Sequence, residues 1–336
     1  VASYAIKSYA DALVPKPKVG YLVDKVLQQG SVSIWYGYPG SLKSLLVMDM
    51  AMAVALGVPW LPDMPPNPTV LGRKCVQSPI VWIDIDNGED VVEERMRAIG
   101  SVYGADAGAP FYYMPYPSIK AVNERAMTDL TAFIASTGLV KPFVIIDTLL
   151  RAARVKDENS SEMDTVMYNL RKMSEVLDAT MALISHSNKV NAGRAGNALR
   201  GHSSIEGGVD YVFRVKRDGH SDTIEIENEK ARRKPIEAFS ARWTYTVDPV
   251  SDELETARFY NSAGVKINNQ QQILINIGSQ IIDALNTYGK CNTSMLYSYV
   301  GGHRPNFNAA LIKVVKEGKI IESTGAYNAK FYEIKP

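Results

Sequence analysis

The sequence predicts an α/β protein: a three-layer domain with a mostly parallel sheet, followed by a small C-terminal winged-helix domain. Three observations carry that expectation. First, the short apolar runs SVSIWYG, PIVWIDID, PFVIIDTLL, MALISHS, YVFRVKR and TIEIENEK alternate with helical patterns such as DVVEERMRAIGSVYG and SSEMDTVMYNLRKMSEVLDAT. Strands that are apolar on both faces and separated by helices belong to a parallel sheet covered on both sides. Second, the first of these runs leads straight into a glycine-rich stretch and then into an apolar helix. Third, the helical patterns IGSQIIDALNTYG, NTSMLYSYVGG and FNAALIKVVKEG precede the pair KIIEST and KFYEIK, which together are the parts of a winged helix.

In chain order, residues 1–28 read as a lead-in segment, in which Pro15 and Pro17 precede YLVDKVL, an apolar run that would pack beside a core. Residues 29–262 form the main α/β domain. Within it LPDMPPNPTVLGRK, rich in proline, reads as a surface loop. Residues 263–275 are polar and weakly patterned and read as a linker, leaving 276–336 for the winged helix.

Composition narrows the function class. The chain has 336 residues, 46% apolar and 22% charged, as expected of a soluble globular protein with a sizeable core. A formal charge of +1 carries no global nucleic-acid signature, so any such affinity must be local. Cys75 and Cys291 form no C-x-x-C pair, which argues against a thiolate zinc site or a disulfide framework and fits a reducing cytoplasm. The longest apolar stretch, LLVMDMAMAVALGVPWL, carries Asp49 and follows the glycine-rich loop, so a buried helix is expected and no membrane association. The N-terminus lacks a signal-peptide layout, and a chain opening on valine is expected to lack part of its native start.

The glycine-rich stretch is Gly37-Tyr38-Pro39-Gly40-Ser41-Leu42-Lys43-Ser44. Backbone N–H groups of such a turn, followed at once by a helix N-terminus, create a positive site shaped for phosphate oxygens. Lys43 adds a mobile charge toward the outer phosphates, and the Ser44 hydroxyl is a magnesium ligand. Leu42 stands where the usual pattern has glycine. A left-handed backbone there would cost on the order of 1–2 kcal/mol, and its side chain must turn away from the phosphates.

A magnesium-nucleotide site also needs carboxylates at the carboxyl edge of neighbouring strands. PFVIIDT delivers Asp147 at a strand end, placed to hold magnesium through water, with Thr148 beside it. PIVWIDIDNGED crowds Asp84, Asp86, Glu89 and Asp90 at the end of another strand. Hydrolysis needs one of them to orient and deprotonate water. Glu89 and Asp90 also suit the first turn of a helix, where acids meet the helix dipole.

Taken together, GYPGSLKS, IVWIDIDNGED, VIIDTLLRAARVKDENSSEMD, LISHSNK and LRGHSSIEGGVD occur in the order found in RecA-like P-loop ATPases. Over roughly residues 31 to 235 the chain resembles, within that class, the RepA-type hexameric replicative helicases of plasmids and phages. The resemblance implies that Lys43 and Ser44 bind the phosphates and magnesium of ATP, with Asp147 as the second carboxylate on the magnesium side. It implies that His186 senses the γ-phosphate. Arg200 would be supplied to a neighbouring subunit's nucleotide, with Lys230, Arg232 and Arg233 as further candidates. A homo-oligomeric ring, of six in the family, follows from an arginine given in trans. The family has glutamate-aspartate where this chain has Asp86-Asn87, so the base is Asp86 or Glu89, and slow turnover is expected.

Between Leu285 and the C-terminus, basic residues exceed acidic ones by four. RPNFNAALIKVVKEG would be the recognition helix, with Arg304, Asn306 and Lys313 toward DNA and Lys330 in the wing. Contacts of this kind bind phosphates and make affinity salt-sensitive. Winged helices also serve as protein contacts, and that reading stays open. The function expected is a magnesium-ATP-dependent helicase or translocase on single-stranded DNA, acting in replication of a plasmid or phage-like element. The alternative is an ATP-gated DNA-binding or assembly protein with little turnover.

Overall fold

The computed structural model describes residues 6–15, 19–65, 70–155, 161–187, 202–262, 269–301, 303–325 and 330–334. It divides into two compact units, one up to residue 263 and one from residue 264.

In the first unit, a short helix α1 (Tyr9–Leu13) precedes a two-stranded hairpin of β1 (Tyr21–Val23) and β2 (Leu27–Gln28). The hairpin buries Leu22, Val23, Val26 and Leu27, so the run YLVDKVL packs with the core, whereas α1 has no buried residue. The central sheet then contains β3 (Val32–Gly37), β4 (Ile80–Asp84), β5 (Phe111–Pro115), β6 (Phe143–Asp147), β7 (Thr180–His186), β8 (Tyr211–Arg217), β9 (Thr223–Ala231), β10 (Phe239–Val247) and β11 (Leu254–Asn261). Its order is β11-β10-β9-β8-β3-β7-β6-β4-β5. The strands from β8 to β5 pair in parallel, whereas β9, β10 and β11 extend the sheet as an antiparallel meander. The run TIEIENEK is therefore a strand, but not a parallel one. It alternates buried and half-exposed residues, as a sheet with one solvated face requires.

Alternation along the parallel strands splits the core into two layers. Trp35, Trp82, Phe143, Ile145, Ala182 and Ile184 face one side, against α2 (Lys43–Leu56) and α3 (Glu89–Tyr103). Ile34, Val81, Ile83, Val144, Ile146, Met181 and Leu183 face the other. That side is covered by α4 (Glu124–Ser136), α5 (Leu149–Ala153), α6 (Glu162–Val176) and α7 (His202–Gly208). The apolar stretch from Leu45 is buried as α2, which ends at Gly57, whose φ of 66° places it in the left-handed region that stops a helix. Among the described residues no helix is long and apolar enough to cross a membrane.

Asp49 explains how the meander closes over α2. Fully buried, it accepts hydrogen bonds from Trp60 Nε1 (2.9 Å), the Tyr103 hydroxyl (3.3 Å) and the Phe259 amide (3.2 Å). Burial pushes its carboxyl up to about 7, against the pull of the Phe259 amide and the Arg258 guanidinium. This polar tie joins the helix after the glycine-rich loop to α3 and to the last strand of the sheet.

The second unit contains α8 (Asn269–Tyr288), β12 (Cys291–Asn292), α9 (Thr293–Val300), α10 (Arg304–Lys316), β13 (Ile320–Thr324) and β14 (Lys330–Ile334). The strands form an antiparallel sheet in the order β12-β14-β13. Its core is built from Ile281, Leu285, Leu296, Phe307, Leu311, Val314, Ile320 and Tyr332. Helix α8 starts at Asn269, so it takes in the C-terminal half of the segment expected to be a linker. Polar residues such as the glutamines there are good helix formers once a neighbouring turn is packed.

Candidate active site

Strand β3 ends at Gly37, and α2 begins at Lys43, so the glycine-rich stretch is a turn between strand end and helix start. Gly37 admits no side chain: a Cβ there would lie 2.3 Å from the Val215 carbonyl oxygen. Three further bonds hold the turn. The Ser41 amide donates to Tyr38 O (3.1 Å), the Ser187 amide to Gly37 O (3.0 Å), and Arg217 Nη1 to Gly40 O (3.0 Å). The first N–H groups of α2 have no carbonyl one turn back, and they open on this turn as an anion site.

Leu42 is the N-cap of α2 and has φ 62° and ψ 17°, in the left-handed region. Its side chain packs against the core on the α2 side of the sheet. The loop thus keeps the backbone course that glycine would allow and places the extra carbons on the protein side. Leu42→Gly is expected to be more stable than Leu42→Ala by about 1 kcal/mol, because glycine alone adopts this φ without cost. Urea denaturation of the two variants checks it, and equal stabilities would mean that the backbone here is unstrained.

Lys43 is 4% exposed, and its Nζ donates to Tyr38 O at 3.4 Å. Burial lowers its pKa, while Asp147 and Asp86 oppose that shift by their charge. These two carboxylates are therefore the ones that face the ammonium. Strand pairing explains how they arrive: Asp84 sits opposite Asp147 across β4 and β6, and Gly37 sits opposite His186 across β3 and β7. The register lines up the carboxyl ends of four strands, where an open α/β sheet gathers ligands.

The acids at the end of β4 have separate roles. Asp84 is buried and saturated: it accepts from Trp82 Nε1 (3.2 Å) and from the amides of Asp86 (3.0 Å) and Asn87 (2.7 Å), which shapes the loop before α3. Asp86 projects from that loop. Its Oδ1 pairs with Arg151 Nε, its Oδ2 lies 3.7 Å from His186 Nε2, and its carbonyl is 3.4 Å from the Tyr116 hydroxyl. Glu89 and Asp90 are exposed in the first turn of α3. Glu89 acts electrostatically on Tyr113, near Glu93, and is not among the groups shifting Lys43 or Asp147. Of the two candidate bases, the structure brings Asp86 to Lys43, Asp147 and His186.

Asp147 is buried, and among the described residues neither of its carboxylate oxygens has a hydrogen-bond partner of good geometry. Burial and the neighbouring Asp84 push it up to about 7, and the Ser44 hydroxyl and Lys43 lie close enough to pull it down. An open buried carboxylate beside a hydroxyl is what a hard cation with oxygen ligands requires. Among the described residues no group of three or more His, Cys, Asp or Glu could hold a metal by itself. Magnesium would fit here with Ser44, Asp147 and phosphate oxygens, not in a cage made by the protein alone.

Arg200 lies outside the described residues. Lys230 donates to Glu206 O and to Val209 O (3.3 Å), and burial lowers its pKa. Arg232 pairs with Asp210 Oδ1 (3.5 Å) and donates to Gly207 O, while Arg233 is exposed. Register places Ala231 opposite Tyr211 and Tyr211 opposite Ser33, at the start of β3. From Ser33 to Gly37 the strand runs about 13 Å, so these cations stand at the far edge from this chain's own loop.

In the second unit, Arg304 stacks on the Tyr297 ring (4.9 Å), and the Asn306 amide donates to His303 O (3.0 Å). Lys313 lies 3.9 Å from Glu317, and Lys330 lies 2.8 Å from Glu322. Such surface pairs are weak and yield readily to a phosphate.

Two further residues at the site carry no mark in the sequence, and a third, Arg151, lies in the motif VIIDTLLRAARVKDENSSEMD. Arg151 carried a signal, four positions after Asp147 and so one helical turn from the strand end. Tyr116 and Arg217 carried none, since each reaches the site only through strand pairing.

A search of curated proteins finds no match to this sequence. Among solved structures, the ATPase domain of G40P aligns over 64% of this chain and 81% of its own, at 12% identity and a TM-score of 0.49. The RadB recombinase aligns over 64% and 87%, at 13% identity and 0.45. A DnaB-like replicative helicase, solved with its interactions with primase, aligns over 76% of this chain at 13% identity and 0.52. This chain spans 66% of that helicase chain, and the likeness shows a shared fold. The sequence profile of the AAA domain family, AAA_25, matches residues 5–192, more than half of the chain. With the phosphate loop, the strand-end carboxylates and the RecA-like sheet in place, the chain belongs to the AAA domain family and is a P-loop ATPase.

Proposed function

We propose that the protein is a magnesium-dependent ATPase that moves along or unwinds single-stranded DNA, as a homo-oligomeric ring, in the replication of a plasmid or phage-like element. The observation that carries the ATPase chemistry is the convergence of Lys43, Asp86, Asp147 and His186 on the turn before α2. In this reading the turn and Lys43 hold the triphosphate. Asp86 orients a water and takes its proton, and His186, whose Nε2 lies 3.7 Å from Asp86 Oδ2, is paired with Gly37 at the end of β3. Ser44 and Asp147 would hold magnesium, which when bound supplies charge neutralisation to the phosphates. A site in the cytoplasm fits the two free thiols.

The DNA and ring parts of the proposal draw on three supports. One is the fold shared with a DnaB-like replicative helicase. The second is the placement of Lys230, Arg232 and Arg233 on the edge away from their own loop, where a neighbouring copy could use them, with Arg200 assigned the same role. The third is the second unit, whose helix and strand order suits a winged helix, with Arg304, Asn306, Lys313 and Lys330 as DNA contacts.

The test is ATP hydrolysis with and without single-stranded DNA, for wild type and for Lys43→Ala. Turnover stimulated by DNA and lost on substitution is the expected result. Tight ATP binding with no turnover in either condition would replace the motor by an ATP-gated binding protein.

A further inference from the structure

Arg73 is a cation that the site at the glycine-rich turn does not use. Its backbone is fixed against Trp60, the Arg73 amide donating to Trp60 O (2.6 Å) and the Trp60 amide to Arg73 O (2.9 Å). Its side chain is half-buried and lies over the Phe239 ring, 4.6 Å from the centroid. Among the described residues the guanidinium makes no hydrogen bond and no ion pair, although it carries five N–H donors. Burial lowers its pKa and the charges of Asp24 and Glu237 oppose that shift, so both acids lie near it without closing a pair. Stacking on an aromatic face fixes the plane of a guanidinium and leaves its donor edge free. A partly desolvated cation with idle donors is completed by an acceptor from outside.

Arg73 lines a cavity of about 210 Å³ together with Tyr21, Lys25, Lys234, Ile236 and Glu237. Lys25 comes from the turn of the β1–β2 hairpin, and Lys234 and Glu237 come from the connection between β9 and β10. Both lysines are exposed and, like Arg73, make no ion pair among the described residues. Three cations from three distant segments thus share one concavity with a single carboxylate, and a concave wall dominated by one sign of charge concentrates the opposite ion. The volume is below the roughly 300–1,000 Å³ of pockets that enclose a drug-sized ligand, so a small anion fits and a whole nucleotide does not. Phosphate suits the donors: it offers two oxygens to the guanidinium and leaves others for the lysines. None of these residues is among the groups that shift Lys43 or Asp147, which separates the cavity from the glycine-rich turn.

We propose that this cavity is a second anion site, which takes phosphate as the free ion or as the terminal group of a small ester. Arg73 is its anchor, and Lys25 and Lys234 form its cationic rim.

Isothermal titration calorimetry at constant ionic strength tests it, on the full chain carrying Lys43→Met so that the glycine-rich turn is weakened as a competing site. The probes are inorganic phosphate and ribose 5-phosphate. Saturable binding of at least one is expected; tighter binding of phosphate assigns the free ion, and tighter binding of the sugar phosphate assigns the ester. Adding Arg73→Gln should weaken that binding by at least about tenfold, and adding Lys25→Ala with Lys234→Ala by about threefold to tenfold. The two lysines are exposed, so their variant reads the site even where Arg73→Gln does not fold. No saturable heat from either probe at concentrations on the order of 10 mM, or an affinity that the folded variants leave unchanged, would overturn the second site.

Discussion

Asp147→Asn is expected to stop ATP hydrolysis and, in the same variant, to stabilise the nucleotide-free protein at neutral pH. The first effect follows from the loss of the open carboxylate beside Ser44, which would remove the anionic side of the magnesium site. Several kcal/mol of charge stabilisation is at stake, so turnover should fall on the order of 10³-fold. The second effect follows from burial. The rise of Asp147 from 3.8 to about 7 corresponds to roughly 4 kcal/mol against the ionised folded state. A buried amide left without full hydrogen bonding returns part of that, and a net gain of about 1–3 kcal/mol is expected.

The sign of the pH dependence is fixed by the same shift. Near pH 4 the unfolded chain releases the Asp147 proton, whereas the folded chain keeps it until about pH 7. Between those values the unfolded state binds fewer protons, so wild-type stability falls as pH rises. Asp49, also raised to about 7, contributes in the same direction and is retained in the variant. Denaturant melts of wild type and Asp147→Asn from pH 4 to 8 should therefore diverge as pH rises. Parallel curves would mean that Asp147 does not carry this cost.

Lys43→Met is expected to weaken ATP binding by on the order of 100-fold, about 3 kcal/mol, the worth of a charge-assisted contact in a screened site. Lys43 is buried where Asp147 and Asp86 face it, so its ammonium is the positive charge among carboxylates at the loop. Removing it would leave an anionic ligand facing anionic side chains. Methionine keeps the length of the apolar stem and isolates the loss of charge, and titration with a fluorescent ATP analogue reads the affinity. Binding within threefold of wild type would mean that the phosphates do not lie on this turn.

Much of this was legible in the chain. Strands β3, β4, β6 and β7 can be read because each is buried on both faces and bounded by helical patterns. The turn at Gly37–Ser44 could be read because strand, glycines, lysine and apolar helix are contiguous. Strand β5 is harder to read because it is a short edge strand with no buried residue, and its aromatic run FYYM lies between Pro110 and Pro115. Strands β10 and β11 were missed because charged and polar residues interrupt them, the pattern of a meander with one solvated face. The start of α8 was read as a linker because its first turns are polar, and polarity alone does not separate a linker from a helix.

Within the site, local chemistry determined which residue types stand at the strand ends: Lys43 after its glycines, Asp147 after VII, and His186 after LIS. Composition and spacing also bounded the protein to one large α/β unit with a small C-terminal one. Which acid does what was decided only by tertiary structure. Asp84, Asp86 and Glu89 are near neighbours in sequence, yet hydrogen bonding saturates the first, strand register brings the second to Lys43, and the third is exposed in the first turn of α3. Arg151, Tyr116 and Arg217 reach the site by pairing of strands 30 to 177 residues apart from their partners or by a helix folded back on a strand end. Sequence periodicity reports the face that a residue occupies on its own element. It carries no information on which other element arrives opposite, and that arrival sets the charge, the burial and the open lone pairs on which the chemistry depends.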